Sequence, residues 1–359
     1  MCKVFMIAGI KESTREKAWK FTKTIAKPMS RANTDGIGYA AITADGNVFG
    51  ERWLNNNHMF KRNTTSIDEK LVSMFNEAID GKIDTFEYNS FGNLEMDKAV
   101  ALTLHTRMAT SAKGMNNVHP FVEGNTSLIH NGVIRNVEDF ALTRSTCDSE
   151  SILISYLQNE VSKNPENISS AAKMLKGYYA CGVLANSEEG PILDIFKSNA
   201  RLHVAFVEEL ETFVISTDDD DIKDTCKVLG YTHGQVFSII SGRFIRVNAI
   251  TGKEKSIVKF DPSTEWSYSQ HTNWSNKSNP PAAANTDTKT TTTTPSTSQG
   301  TSKSKSSNVL PYGKRRDNTP VSDQMMDYFR GQPSITKLNE REVQEQIMEH
   351  ERLIGGQMW

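Results

Sequence analysis

Before residue 262 the chain is a succession of short apolar runs of strand length, broken by a few segments of helical period, and this pattern constrains the fold more than any other feature. Residues 3–8 read as a strand, and Ser13 with Glu16 has the capping-box spacing that opens a helix. Residues 38–43 and 47–53 flank Asp45-Gly46, a dipeptide suited to the positive φ angles of a tight turn, and predict a hairpin. Ser66 and Glu69 form a second capping box, after which Leu71, Met74, Phe75, Ala78 and Ile79 fall on one helical face. In 99–106, Val100, Leu102 and Leu104 alternate with Ala101 and Thr103, so Arg107 sits at or just past a strand end. Residues 127–130 read as a short strand halted by Asn131-Gly132, and 149–161 as a helix with Asp148 at its N-cap. Strands at 178–185, 192–197, 203–207, 212–216, 236–240 and 244–247 follow, interrupted by a helix over 219–228. Helices grouped between runs of strands predict an α+β domain of stacked sheets covered by helices, not an alternating βα array.

The composition changes near residue 262. Beyond it lie Pro280, Pro281 and Pro295, the Thr290 to Thr294 run and many serines, with too little apolar surface to offset the entropy of ordering, so 263–320 is expected to be a disordered linker. Apolar residues return in 321–359, where Val343, Ile347 and Ile354 share a narrow helical face that could dock a partner or a second copy, or fray in solution. The formal net charge of -2 gives no reason to expect nucleic acid or an anionic membrane as the main partner. Four cysteines without CxxC spacing fit free thiols in a reducing cytoplasm. No N-terminal stretch suits a signal peptide, and no run reaches the ~20 apolar residues of a membrane helix, so a cytoplasmic location is expected.

Cys2 carries the chemistry of interest. Removal of Met1 would leave a thiol and a free α-amino group on one residue, a nucleophile beside a base whose pKa near ~7.7 to 8.0 lets it accept the thiol proton. The plain alternative is a small buried residue at the start of an apolar strand. An attack by Cys2 on a carboxamide would also need oxyanion donors and a clamp for a charged substrate. The Asn131 side chain and the Gly132 backbone N–H could converge on one oxygen, although Asn-Gly is also the commonest hairpin turn. The Arg107 guanidinium could hold a carboxylate bidentately or pair with a surface acid, and Asp148 could hold an ammonium or merely cap its helix.

Taken in order, these residues resemble the class II glutamine amidotransferase domain, an N-terminal-nucleophile (Ntn) hydrolase. Cys2 matches the family nucleophile, and His105 to Thr110 match its HTRxAT motif. Asn117-Val118-His119-Pro120 match its N-x-HP motif, His130-Asn131-Gly132 its HNG motif, and Asp148 with Glu150 its DxE motif. Asp35 to Tyr39 look like the glycine-rich loop that members carry beside the pocket. Met108 and Ser111 depart from the residues that many members have at those positions.

The resemblance covers roughly residues 2 to 260. It implies a four-layer αββα sandwich of two stacked, mainly antiparallel sheets over residues 1–262, and a glutaminase; no cofactor is expected, and His105, His119 and His130 show no HxxxH or HxH spacing that would point to a metal. In its terms Cys2, Asn131 and Gly132 are catalytic, and Arg107, Thr110, His119 and Asp148 bind substrate. Glutamine would be hydrolysed to glutamate through a γ-glutamyl thioester, and the ammonia passed to an acceptor on a separate subunit, since no fused synthase is visible. An Ntn hydrolase acting on another acyl amide and a catalytically silent binding module are the alternative expectations. No GxGxxG or P-loop pattern points to nucleotide binding.

Overall fold

The computed structural model describes residues 2–31, 33–55, 67–80, 96–109 and 114–262. In chain order come β1 (Lys3–Ala8), α1 (Arg15–Ser30), β2 (Gly36–Thr43), β3 (Val48–Leu54), α2 (Ile67–Ile79) and β4 (Ala99–Arg107). They are followed by β5 (Phe121–Glu123), β6 (Thr126–Ile134), α3 (Ser149–Gln158), α4 (Ile168–Lys173), β7 (Gly177–Ser187) and β8 (Gly190–Lys197). Last are β9 (His203–Val207), β10 (Thr212–Ser216), α5 (Asp219–Leu229), β11 (Phe237–Ser238), β12 (Arg243–Asn248) and β13 (Glu254–Lys259).

The strands form two sheets, one in the order β11-β9-β10-β1-β4-β2-β3 and the other β13-β12-β8-β7-β6-β5. Neighbours in both are antiparallel, so side chains of period two point alternately to opposite faces. On the outer face of the first sheet, Phe5, Ile7, Leu102 and Leu104 pack against Phe21 and Ile25 of α1, Phe75 of α2 and Ile222 of α5. Its inner face sets Val4, Met6, Ala40 and Ile42 against Ile129, Ala180, Leu193 and Ile195 of the second sheet. The outer face of the second sheet buries Leu128, Tyr179 and Phe196 under Ile152 and Tyr156 of α3 and Ala171 of α4. The result is the expected α+β αββα sandwich with three apolar layers, in which each fully buried Ile, Leu or Phe stabilises the fold by ~1.5 to 3 kcal/mol.

Several local expectations change. Ser13 lies inside a 3-10 turn, Glu12–Thr14, and Thr14 stands at the α1 N-cap without a side-chain hydrogen bond, so the Ser13–Glu16 capping box does not form. Residue 66 of the second box lies outside the described residues, but the apolar face of α2 packs as the spacing requires. Residues 35–39 are not a loop: Gly36 already opens β2. β6 does not stop at Asn131-Gly132 but runs on to Ile134, because β7 pairs with it throughout, Asn131 opposite Ala180 and Gly132 opposite Tyr179. Helix α3 ends at Gln158, and the polar edge strand β13 and the three-residue β5 lack the apolar alternation that would betray them. The 263–320 linker and the 321–359 helical tail lie outside the described residues.

Candidate active site

The two-residue period places the candidate residues in the inter-sheet space at one end of the sandwich. On β1 the even residues Val4, Met6 and Ala8 face inward, and Cys2 precedes them on the same side. On β4, Leu102 and Leu104 face outward, which leaves His105 and Arg107 inward. Lys3 pairs with Thr106, so Cys2 arrives beside Arg107. Opposite, Asn131 shares the inward parity of Ile129.

Cys2 is half-buried, and its Sγ donates to the Met108 carbonyl at 3.6 Å. Burial pushes its thiol up; the Met108 hydrogen bond and the Arg107 charge oppose that rise, and Asp148 adds to it. The thiol is therefore not a resting thiolate and needs a proton acceptor to attack. Asp35 fixes the chain at this point: its N–H donates to Arg107 O at 3.0 Å, and its Oδ2 accepts from the Ala109 N–H at 2.7 Å.

Arg107 is buried at 3% exposure, which holds the guanidinium at the strand end. Asn131 is buried at 5%, and its Oδ1 has no hydrogen-bond partner in the protein. Gly132 has φ +153°, and a Cβ there would lie 2.0 Å from Tyr178 O and 2.7 Å from His130 Nε2. Only glycine lets β6 pass β7 so closely. Thr110, a candidate substrate ligand, lies outside the described residues, as does Ser111.

Asp148 does not cap α3 with its side chain. Its Oδ2 instead accepts the Ile134 N–H of β6 at 2.7 Å, so the carboxylate turns back over the strand end, and its charge reaches Cys2 and His130. Glu150 has a different task. Its carboxylate accepts from the N–H groups of Thr143 (2.9 Å), Arg144 (3.1 Å) and Ser145 (2.8 Å) and from Ser145 Oγ (2.7 Å). Burial opposes its ionisation, but these hydrogen bonds outweigh burial and hold the group below the usual carboxylate range. Asn117 ties the neighbouring segment to the same loop, donating to Thr146 Oγ1 at 2.8 Å and accepting from Thr146 N–H at 3.0 Å. The His119-Pro120 peptide is cis, and Arg52 Nη1 donates to the carbonyls of Val118 (2.9 Å) and Pro120 (3.4 Å) on either side. Gly38 makes room for it, since a Cβ there would meet His119 O at 2.1 Å.

His119 lies in a buried stack. Its ring centroid is 4.0 Å from His105 and 6.3 Å from His130, and His130 Nδ1 shares a 2.9 Å hydrogen bond with Ser149 Oγ beside Asp148. Burial first, then neighbouring histidines and Arg107, lower His105 to about 3 and His119 well below the imidazole range. Burial likewise lowers His130. Three neutral rings thus bridge the Arg107 strand to the Asp148 helix. Among the described residues the group with metal-ligand spacing is Asp218, Asp219 and Asp220, a surface acidic cluster in which Asp218 pairs with Lys3 at 3.0 Å.

The motif residues Cys2, Arg107, Asn131, Gly132 and Asp148 lie toward one end of the sheets, and Asp35 stood in a matched motif without a stated part, whereas the hydrogen bonds of Arg52, Ser149 and the Met108 carbonyl had no signal in the sequence. Backbone acceptors and second-layer contacts arise from pairing between distant strands.

No family model matches the sequence, and no curated protein matches it. Among solved structures the chain is similar to a glutamine phosphoribosylpyrophosphate amidotransferase from B. subtilis complexed with ADP and GMP, at 17% identity and TM-score 0.48, over 72% of this chain and 49% of that one. A second, described as the allosteric regulatory enzyme of purine biosynthesis, has 16% identity and TM-score 0.47, with coverage of 72% and 49%. The chain spans about half the length of either. No described helix is long and apolar enough to cross a membrane.

Proposed function

We propose that the chain is a glutamine amidotransferase that uses Cys2, exposed by loss of Met1, to release ammonia from L-glutamine. The observation that carries this reading is the meeting of a half-buried thiol with a buried guanidinium and a half-buried carboxylate of opposite charge. Arg107 suits the α-carboxylate of a free amino acid and Asp148 its α-ammonium, whereas an apolar acyl amide carries no charged group to match either.

The freed amine of Cys2 takes the thiol proton, and the sulfur attacks the side-chain carboxamide carbon. Asn131 Nδ2 and the Gly132 N–H donate to the oxyanion. The collapsing intermediate releases ammonia after the amine returns a proton to the leaving nitrogen, and water then hydrolyses the γ-glutamyl thioester to glutamate. A separate protein with its own acceptor site would consume the ammonia, and a cytoplasmic location would suit the free thiols.

Glutamate release from glutamine tests the reading. The purified chain should lack Met1 by intact mass, turn over glutamine, and lose that activity in a folded Cys2→Ala variant. A Cys2→Ala protein that retains glutaminase activity overturns it.

A further inference from the structure

A cavity of about 420 Å³ opens on the outer side of the second sheet, between β5, the 143–144 loop and α3. Cys2, Arg107, Asn131 and Asp148 do not line it. Its floor is apolar, from Phe121, Leu153, Ile154 and Leu157, and two guanidinium groups, Arg52 and Arg144, stand in its walls. Arg144 is neutralised by Glu123 and donates to Val122 O at 2.8 Å. Arg52 is half-buried, gives Nη1 only to the carbonyls of Val118 and Pro120, and joins no ion pair among the described residues. Glu150 also borders the cavity, but backbone N–H groups of 143–145 engage its carboxylate. The space therefore combines an apolar body with one cation that lacks a carboxylate, within the ~300 to 1,000 Å³ size of small-molecule sites.

Both walls lead to the candidate active site. Thr143 and Arg144 belong to the loop stapled by Glu150, which continues into Asp148. Asn116 and Phe121 flank the Asn117 to Pro120 segment, and the Asn117–Thr146 hydrogen bonds join the two walls. A ligand that packs against Thr143, Phe121 and α3 together would brace the loop from which Asp148 projects.

We propose that this cavity is an effector site for a small monocarboxylate with a compact apolar body, and that its occupancy lowers the KM for glutamine. The carboxylate would meet Arg52, and an aromatic or branched body would cover Phe121, Leu153, Ile154 and Leu157. The KM clause rests on the glutaminase reading; the binding clause does not.

Isothermal titration of the full chain with 3-phenylpropanoate, beside its neutral amide 3-phenylpropanamide, tests the site. Saturable binding of the acid is expected at a Kd on the order of 0.1 to 1 mM, the range for a fragment-sized ligand, with the amide at least ~5-fold weaker. Leu157→Glu, which sets a competing carboxylate in the cavity, should weaken the acid ~10-fold or more while leaving basal turnover unchanged. If that variant does not fold, the acid and amide pair on the unaltered chain decides. Saturating acid should lower the glutamine KM about 2- to 5-fold with little change in kcat. Absence of acid binding, equal binding of acid and amide, or an unmoved KM overturns the proposal. A chain that binds the acid selectively yet shows no glutaminase activity overturns the glutaminase reading and with it the effector clause, and leaves the carboxylate site standing.

Discussion

Asn131 and Gly132 are neighbours in sequence but fail in different ways when changed. The Asn131 side chain is buried, and its Oδ1 bonds nothing in the protein, so truncation removes little that holds the fold. Asn131→Ala should therefore keep its melting temperature within a few degrees while losing ~10² to 10³ in kcat, the usual effect of deleting one oxyanion donor. A stable variant with near-normal turnover would remove Asn131 from the mechanism. Gly132→Ala drives a methyl group against the Tyr178 carbonyl at 2.0 Å. Overpacking of this kind costs about 1 to 3 kcal/mol, so this variant should lose several degrees in Tm along with its activity. The Asn-Gly pair also shows what sequence leaves open: the same dipeptide makes a turn or a continuous strand, and only its pairing with β7 selects the strand.

At the scale of elements, the Asp148 and Glu150 positions at the start of α3 divide the work. Asp148 reaches back to β6 and presents charge to the site, while Glu150 holds the 143–145 loop. Because hydrogen bonds keep the Glu150 carboxyl below its ordinary pKa, the stability it contributes is full above the unfolded value near ~4.3 and is lost as pH falls through the lower folded value. Glu150→Gln should lower stability at pH 7 by ~1.5 to 3 kcal/mol, the worth of hydrogen bonds to a charged group, with the deficit shrinking in acid. Urea midpoints at pH 7 and pH 3 measure this, and an equal deficit at both would mean the charge does not matter. The glutamine KM of this variant should also rise, because the loop carries Asp148. Sequence marked both acids but not their separate tasks, since those depend on where 143–145 lies in space.

Across the whole molecule, the stack of His105, His119 and His130 joins the two sheets to α3 with rings kept neutral by burial. Unfolded imidazoles protonate near pH ~6.5, whereas burial holds the folded rings lower, His105 at about 3, His119 well below the usual value and His130 also below it, so under pH ~6.5 the unfolded state binds more protons. Stability should be full above pH ~6.5 and fall below it by ~1.4 kcal/mol per pH unit for each of His105 and His119, with His130 adding to the fall in the same direction. Urea midpoints between pH 7.5 and 5 should show this decline, and a flat profile would mean that the rings are charged or exposed in the folded chain. His105→Gln should flatten the slope by about one proton.

The sequence alone determined the periodic elements and which residues are chemical candidates. Apolar alternation along a strand is a local property, and a thiol, a guanidinium and a carboxylate are chosen by residue type, so β1, β4, the β2–β3 hairpin and the α2 face were legible, as were Cys2, Arg107 and Asp148 as chemical candidates. Tertiary structure alone decided that β6 continues through Asn131-Gly132, that Asp148 turns back instead of capping α3, and that Met108 O, Asp35 and three neutral histidines surround the site. Each depends on which distant strand supplies the hydrogen-bond partner and on what burial does to a charge. Those are properties of the packed chain, and no local pattern encodes them.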